Sequence, residues 1–412
     1  MDNCPISPDK APPNALSGCR PQGEQNEKGY PQSTREHGNQ GRVTVALGGP
    51  PRRRVMVDSV TISNFRSFRE ATIEDLRRVN VLVGENGSGK TALLEAIFLA
   101  GGVSPEIAMR TRSWRGAETS LAFQGTQEDL YEALWGDLFH KFQSSRGAVV
   151  RLRGRSEENR SVTVTLNKQG QRKVVPPSRT RPGAPPKVVP EPSLASFKWR
   201  VQGYPDIEIK PRLVDGRLLF DDAPVSYVRA SFFAANRSPP LVETVQRYSN
   251  LSQKFESSFF NDAFKKLYPQ LDDMSIELNV GAGMLYCKLP GIPQKLSLGA
   301  VSGGMNRLSS YLLGIANQEN GIVIIDELEN GLYHGKLPSI WRTLFDFADK
   351  YDCQLFISTH SAECLEALRP VAEKQPNDLM VLRTVLENGE SKVRQFGGDR
   401  FATAMEEHID IR

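Results

Sequence analysis

Val79 to Ala100 reads VNVLVGENGSGKTALLEAIFLA. Val79, Val81 and Val83 form a short apolar run closed by a glycine, as a buried strand does. Leu93, Leu94, Ile97 and Phe98 recur at helical spacing within Thr91 to Ala100. Between strand and helix, Gly84-Glu85-Asn86-Gly87-Ser88-Gly89-Lys90-Thr91 matches G-x-x-x-x-G-K-[ST] at every fixed position. Glycines there permit torsions that turn successive N–H groups onto phosphate oxygens, and the following helix adds its positive N-terminus. Lys90 is expected to span the β- and γ-phosphates as a point charge, and Thr91 to offer its hydroxyl to Mg²⁺.

Three further stretches share this character. Gly321 to Glu327 (GIVIIDE) is an apolar strand that delivers Asp326 and Glu327 at its polar end, beside the phosphate loop if the two strands are neighbours. Asp326 is expected to hold Mg²⁺, and Glu327 to polarise the attacking water as general base. Phe356 to Ser361 (FISTHS) again ends an apolar strand in polar residues, with His360 set to meet a γ-phosphate or its water. Val301-Ser302-Gly303-Gly304-Met305 opens a helix, so Ser302, Gly303 and Gly304 form a second anion-binding surface. One chain has one phosphate loop, and this second surface is most economically assigned to the nucleotide of a partner subunit.

Taken together, GENGSGKT, VSGGM, IIDE-LENG and STHS resemble the ABC-type ATPase head in order and spacing. Asn64-Phe65-Arg66-Ser67-Phe68 ahead of the phosphate loop resembles the RecF/SMC/OLD group, most closely the stand-alone AAA-type ATPases related to OLD. The resemblance covers roughly residues 57–125 and 296–412. It implies an α/β P-loop NTPase fold, a mixed sheet flanked by helices, with a mixed α/β insertion lobe. It also implies ATP and Mg²⁺ as cofactors, and a homodimer that sandwiches two ATP molecules, Ser302 of one subunit reaching the γ-phosphate held by Lys90 of the other. By the same resemblance Arg66 lies near the nucleotide phosphates, Asn330 falls in a stretch that crosses the dimer interface, and Gln124 is a candidate γ-phosphate sensor and metal neighbour. Departures are visible too: VSGGM is not LSGGQ, and no aromatic residue is obviously placed to stack on adenine.

Composition frames these motifs. The chain has 412 residues, and its 39% hydrophobic content suffices for a sizeable core. The net charge is 52 − 48 = +4, which permits nucleic-acid contact without demanding it. Five scattered cysteines, Cys4, Cys19, Cys287, Cys353 and Cys364, make neither a disulfide framework nor a zinc site. No apolar stretch reaches the length of a membrane helix and no secretory signal is legible, so a cytoplasmic protein is expected.

Residues 1–54, with eight prolines and seven glycines, read as a disordered tail. The first half of the nucleotide-binding domain is expected over 55–129, the insertion lobe over 130–295 and the second half over 296–412. Val57 to Phe65 reads as an edge strand and Leu130 to Phe142 as a helix. Within the lobe, 170–193 is proline-rich and carries five Lys/Arg against one Glu, an exposed spacer or a track for a phosphate backbone. The expected function is an ATP-hydrolysing switch for a separate effector protein, as in prokaryotic anti-phage systems. The alternative is a RecF-like DNA-binding ATPase of repair or replication.

Overall fold

The computed structural model describes residues 57–102, 127–154, 159–166, 195–214, 217–219, 230–237, 241–279 and 282–411. The chain divides into two units, residues 1–52 and 53–412, and every described residue belongs to the second. The expectations for the 1–54 tail, the 170–193 segment and Gln124 lie outside the described residues.

The central sheet is built from β10 (Ala230–Phe233), β14 (Ile322–Ile325), β15 (Gln354–Ser358), β3 (Val79–Val83), β16 (Leu379–Glu387) and β17 (Glu390–Gly397), in that spatial order. All pairs are parallel except the β16–β17 hairpin. Every residue of β3, β14 and β15 is buried. Parallel strands covered on both faces read as continuous apolar runs, which is why their positions are legible from sequence.

A second, antiparallel sheet runs β2 (Phe68–Ile73), β1 (Ser59–Phe65), β4 (Ala148–Arg153), β5 (Arg160–Leu166), β6 (Ala195–Val201) and β7 (Ile207–Ile209). β1 is therefore not an edge strand: it pairs with β2 on one side and β4 on the other. Alternation of Val60 and Ile62 reports one buried face, not the number of hydrogen-bonded neighbours, and β4 comes from more than 80 residues away. The strands of 130–295 join their surroundings: β4–β7 complete the sheet begun by β1–β2, and β10 extends the central sheet.

Helix α1 (Lys90–Gly101) fills the space between the two sheets and is buried along its length except at Thr91. It has no polar face because it has no solvent side. Trp199 of β6 donates its indole N–H to the Leu99 carbonyl at 2.9 Å, and Trp135, Phe197 and Trp199 pack beside it. On the other face of the central sheet lie α3 (Leu241–Gln253), α4 (Ser257–Leu267), α6 (Gly303–Ala316), α7 (Leu337–Lys350) and α8 (Ala362–Lys374). There Phe260, Phe264, Leu312, Trp341 and Phe347 are fully buried. After β7 comes a short hairpin of β8 (Arg212–Val214) and β9 (Arg217–Leu219). A three-stranded sheet of β11 (Asp273–Asn279), β12 (Ala282–Lys288) and β13 (Leu296–Ser297), with the single turn α5 (Leu298–Val301), leads into α6.

The expected helix over Leu130 to Phe142 is shorter: α2 spans Gln127–Trp135, followed by two 3-10 turns. Phe139 is extended and bridges to Phe65, and Arg66 N–H donates to the Leu138 carbonyl at 2.8 Å. Pairing with the end of β1 unwinds the helix there.

Candidate functional site

The phosphate loop connects β3 to α1 as expected. Gly84, Gly87 and Gly89 have φ of 140°, 79° and 114°, a region that favours glycine. Gly89 is the N-cap of α1, so the loop's amides and the helix N-terminus face the same space. A cavity of about 620 Å³ opens there, lined by Asn86, Gly87, Gly89, Lys90, Thr91, Asp326 and Glu327 among others. Ser88 faces away from it: its hydroxyl shares a 2.6 Å hydrogen bond with Thr384 of β16 and anchors the loop.

Lys90 is buried, its ammonium donating to the Gly84 and Glu85 carbonyls at 2.6 and 2.9 Å. Burial lowers its pKa against the opposing fields of Asp326, Glu327 and Glu329. A lysine held by two neutral carbonyls beside a cavity is suited to exchanging them for phosphate oxygens.

The strand of Asp326 is not the direct neighbour of β3. β15 lies between them, and its end supplies the parts that join the site. Ser358 donates to Asp326 Oδ1 at 2.5 Å and accepts the Glu327 N–H at 2.8 Å. Thr91 donates to Asp326 Oδ2 at 3.3 Å. Burial raises the Asp326 pKa, opposed by the Ser358 hydrogen bond, while the Glu327 charge raises it further. Glu327 sits at φ 52°, an uncommon torsion for a side-chain-bearing residue, and accepts from Asn330 Nδ2 at 2.6 Å.

His360 is half exposed and does not line the cavity. Its Nδ1 lies 3.1 Å from Glu329 Oε1 and 3.9 Å from Glu327 Oε1. Glu329 Oε1 also accepts the backbone N–H groups of His360 and Ser361 at 2.9 and 3.2 Å. The turn after β14 is thus tied to the turn after β15 through one carboxylate.

Arg66 reaches the cavity wall with φ 50°. Its guanidinium pairs with Glu95 at 2.5 Å and Asp137 at 3.0 Å, while Nη2 is buried with no hydrogen-bond partner among the described residues. Phe139 and Phe142 line the same cavity, and Phe142 is 64% exposed, so aromatic residues do border it. Ser302 caps α6 by accepting the Met305 N–H at 3.3 Å, and neither it nor Gly303 nor Gly304 lines the cavity. Asn330 donates from Nδ2 to Glu327, and its carbonyl accepts from Arg307 at 3.0 Å.

Sequence reasoning missed Glu329, Ser358, Thr384 and Phe142. Glu329 and Ser358 lay inside quoted motifs, but their partners come from the neighbouring strand. Thr384 and Phe142 sit in segments with no motif at all.

Residues 79–366 match the family described as "AAA domain, putative AbiEii toxin, Type IV TA system". The chain belongs to this AAA family. It is also 21% identical over 348 residues to an ATP/GTP phosphatase of Helicobacter pylori, covering 78% of this chain and 89% of that one. A 47-residue stretch is 43% identical to the DNA replication and repair protein RecF of Idiomarina loihiensis, covering 11% of this chain and 13% of RecF. Among solved structures, an Smc head bound to the C-winged helix domain of ScpA aligns with a TM-score of 0.50 at 15% identity. It covers 85% of this chain and 99% of that one, a likeness of fold. The protein is an ATPase of this AAA family, and it has the fold of an SMC-type head. No helix among the described residues is long and apolar enough to cross a membrane.

Proposed function

We propose that ATP closes two copies of this chain into a dimer, that hydrolysis reopens it, and that the cycle acts as a switch on a separate effector protein. The observation that carries the proposal is the position of Ser302 to Gly304. Ser302 gives its own N–H to the Leu298 carbonyl and caps α6, so Gly303 and Gly304 present the first turn of that helix, and all three lie outside the cavity beside their own phosphate loop. A nucleotide held by a partner's Lys90 would complete that surface.

In this reading the backbone of Gly84 to Gly89 cradles the phosphates, and Lys90 leaves its two carbonyls for the β- and γ-oxygens. Thr91 and Asp326, an all-oxygen pair at the cavity, are suited to Mg²⁺, which takes few protein ligands alongside phosphate oxygens. Thr91 and Asp326 would hold the metal, whose charge would offset that developing on the phosphoryl oxygens. Glu327 takes the proton of the attacking water. Glu329 holds His360 at the rim, where it meets the γ-phosphate. Arg66 turns its free Nη2 to a phosphate oxygen. A setting in prokaryotic anti-phage defence accords with the toxin–antitoxin wording of the family description. The short RecF match supports a second reading, an ATPase of DNA repair or replication.

Glu327→Gln removes the base but keeps the shape, so it should bind ATP while losing about 10²–10⁴ in turnover. Light scattering of this variant with Mg-ATP should show a doubled mass, and Ser302→Arg on the same background should remain monomeric. A mass independent of ATP and unchanged by Ser302→Arg would overturn the shared-site proposal.

A further inference from the structure

A cavity of about 470 Å³ opens on the antiparallel sheet and shares no lining residue with the nucleotide cavity. It lies where β4 and β6 end, β5 begins and the turn into β7 starts. Register sets its wall: Arg151 on β4 lies opposite Ser161 on β5, and Ser161 lies opposite Arg200 on β6. The floor is held from within, because Arg160 is buried and donates to the Gly101 carbonyl at the end of α1 at 3.2 Å. The turn is fixed too. Gly203 has φ 81°, and the Tyr204 N–H donates to the Val201 carbonyl at 3.0 Å. Tyr204 lines the cavity and is 52% exposed.

Three kinds of group meet there. Four arginines, Arg151, Arg153, Arg160 and Arg200, line the cavity with one carboxylate, Asp206, a net charge of 4 − 1 = +3. Asp206 is itself shared, accepting from Lys198 at 2.9 Å and from Arg200 Nε at 3.1 Å. Arg151 and Arg153 are exposed and form no ion pair among the described residues. The Tyr204 ring is the second kind, a flat apolar surface in a basic recess. The third is an amide pair: Asn159 Nδ2 donates to Gln202 Oε1 at 2.7 Å, and the Gln202 N–H donates to the Asn159 carbonyl at 2.9 Å. That pairing leaves an acceptor, Asn159 Oδ1, and a donor, Gln202 Nε2, beside one another.

We propose that this cavity binds a free nucleoside phosphate, at a site separate from the one that hydrolyses ATP. Guanidinium groups match phosphate oxygens with paired N–H donors, and the Ser161 hydroxyl between Arg151 and Arg200 adds another. A phenol ring offers its face to a base by stacking, whichever base it is. The amide pair suits a base edge, which also carries a donor and an acceptor. The volume falls in the range of small-molecule sites, about 300–1,000 Å³. Inorganic phosphate would use the arginines and leave the ring and the amides idle. A nucleic-acid backbone would meet exposed cations without filling a recess. Only a ligand with an anionic end and a flat polar-edged end uses all three. Neither hydrolysis nor dimerisation draws on these residues, so the proposal stands apart from both.

The test is isothermal titration calorimetry of the full chain carrying Lys90→Ala, which takes the phosphate loop out of competition. The probes are AMP, GMP, adenosine and pyrophosphate. AMP or GMP should bind with one site per chain and more tightly than adenosine or pyrophosphate. Adding Tyr204→Ala should weaken the nucleotide by about 5–150-fold and leave pyrophosphate unchanged, while Tyr204→Phe keeps the ring and the affinity. Adding Arg151→Gln/Arg153→Gln should weaken nucleotide and pyrophosphate alike, by about tenfold or more. These side chains are exposed or half-exposed, so the variants should melt where the Lys90→Ala chain does. Absence of AMP and GMP binding, or binding unchanged by the Tyr204 and arginine substitutions, would overturn the proposal. So would pyrophosphate bound as tightly as the nucleotides, or a DNA duplex that binds through these arginines when no mononucleotide does.

Discussion

Asp326 is a carboxylate kept beside the nucleotide cavity at the expense of the nucleotide-free protein's stability. Burial raises its pKa, and only the Ser358 and Thr91 hydroxyls and the Lys90 charge oppose this. A raised acid pKa means the folded chain binds the proton more readily than the unfolded chain. Stability from this group is therefore lost as pH rises above about 3.8, the unfolded value, through the folded pKa. Asp326→Asn has no such loss. Its melting temperature without nucleotide should exceed the wild type's at pH 7, with the gap closing as pH falls toward 4, while Mg-ATP no longer stabilises it. A gap that widens on acidification would contradict the burial argument. Glu329 calls for a different measurement, because it is proposed to act through His360. If so, Glu329→Ala and His360→Ala should each lower turnover, and the double variant should be no slower than His360→Ala alone. Multiplying effects would mean that Glu329 acts independently.

At the scale of elements, the phosphate loop is held from outside as well as by its own torsions. Ser88 is bonded to Thr384, and a Cβ built on Gly84 would collide with the Thr384 carbonyl and come within 2.7 Å of its Oγ1. The loop is packed against β16, whose backbone cannot yield cheaply. Gly84→Ala should lower stability by about 1–3 kcal/mol through torsional strain, with the clash adding to it. Gly87 has the same sign of φ but open space around it, so Gly87→Ala should be the milder change. Chemical denaturation of the two variants compares them directly, and equal losses would show that packing against β16 is irrelevant. The interposed strand β15 matters in the same way: by separating β14 from β3 it brings Ser358 between Asp326 and Glu327 and carries His360 to the rim.

On the scale of the whole molecule, α1 joins everything. One face meets the antiparallel sheet and the other the central sheet, so the helix that begins at Lys90 reports to both. The antiparallel sheet and the nucleotide cavity therefore share one helix. Glu95 of α1 pairs with Arg66 at the end of β1.

The sequence alone determined the order of strands and helices around GENGSGKT, the positions of β14 and β15, and the residue types at the nucleotide site. Those signals are local: a glycine torsion, an apolar run covered on both faces and a helix start are written in neighbouring residues. It misread β1 as an edge and ran α2 through Phe142, because hydrogen-bonded partners such as β4 and Phe65 arrive from distant sequence. Only the tertiary structure decided that β15 separates β14 from β3, that Glu329 grips the His360 turn, that Phe142 borders the cavity and that Arg151 and Arg200 share a row. Those are juxtapositions across strands, and register depends on how whole sheets bury their apolar faces rather than on any one segment's composition.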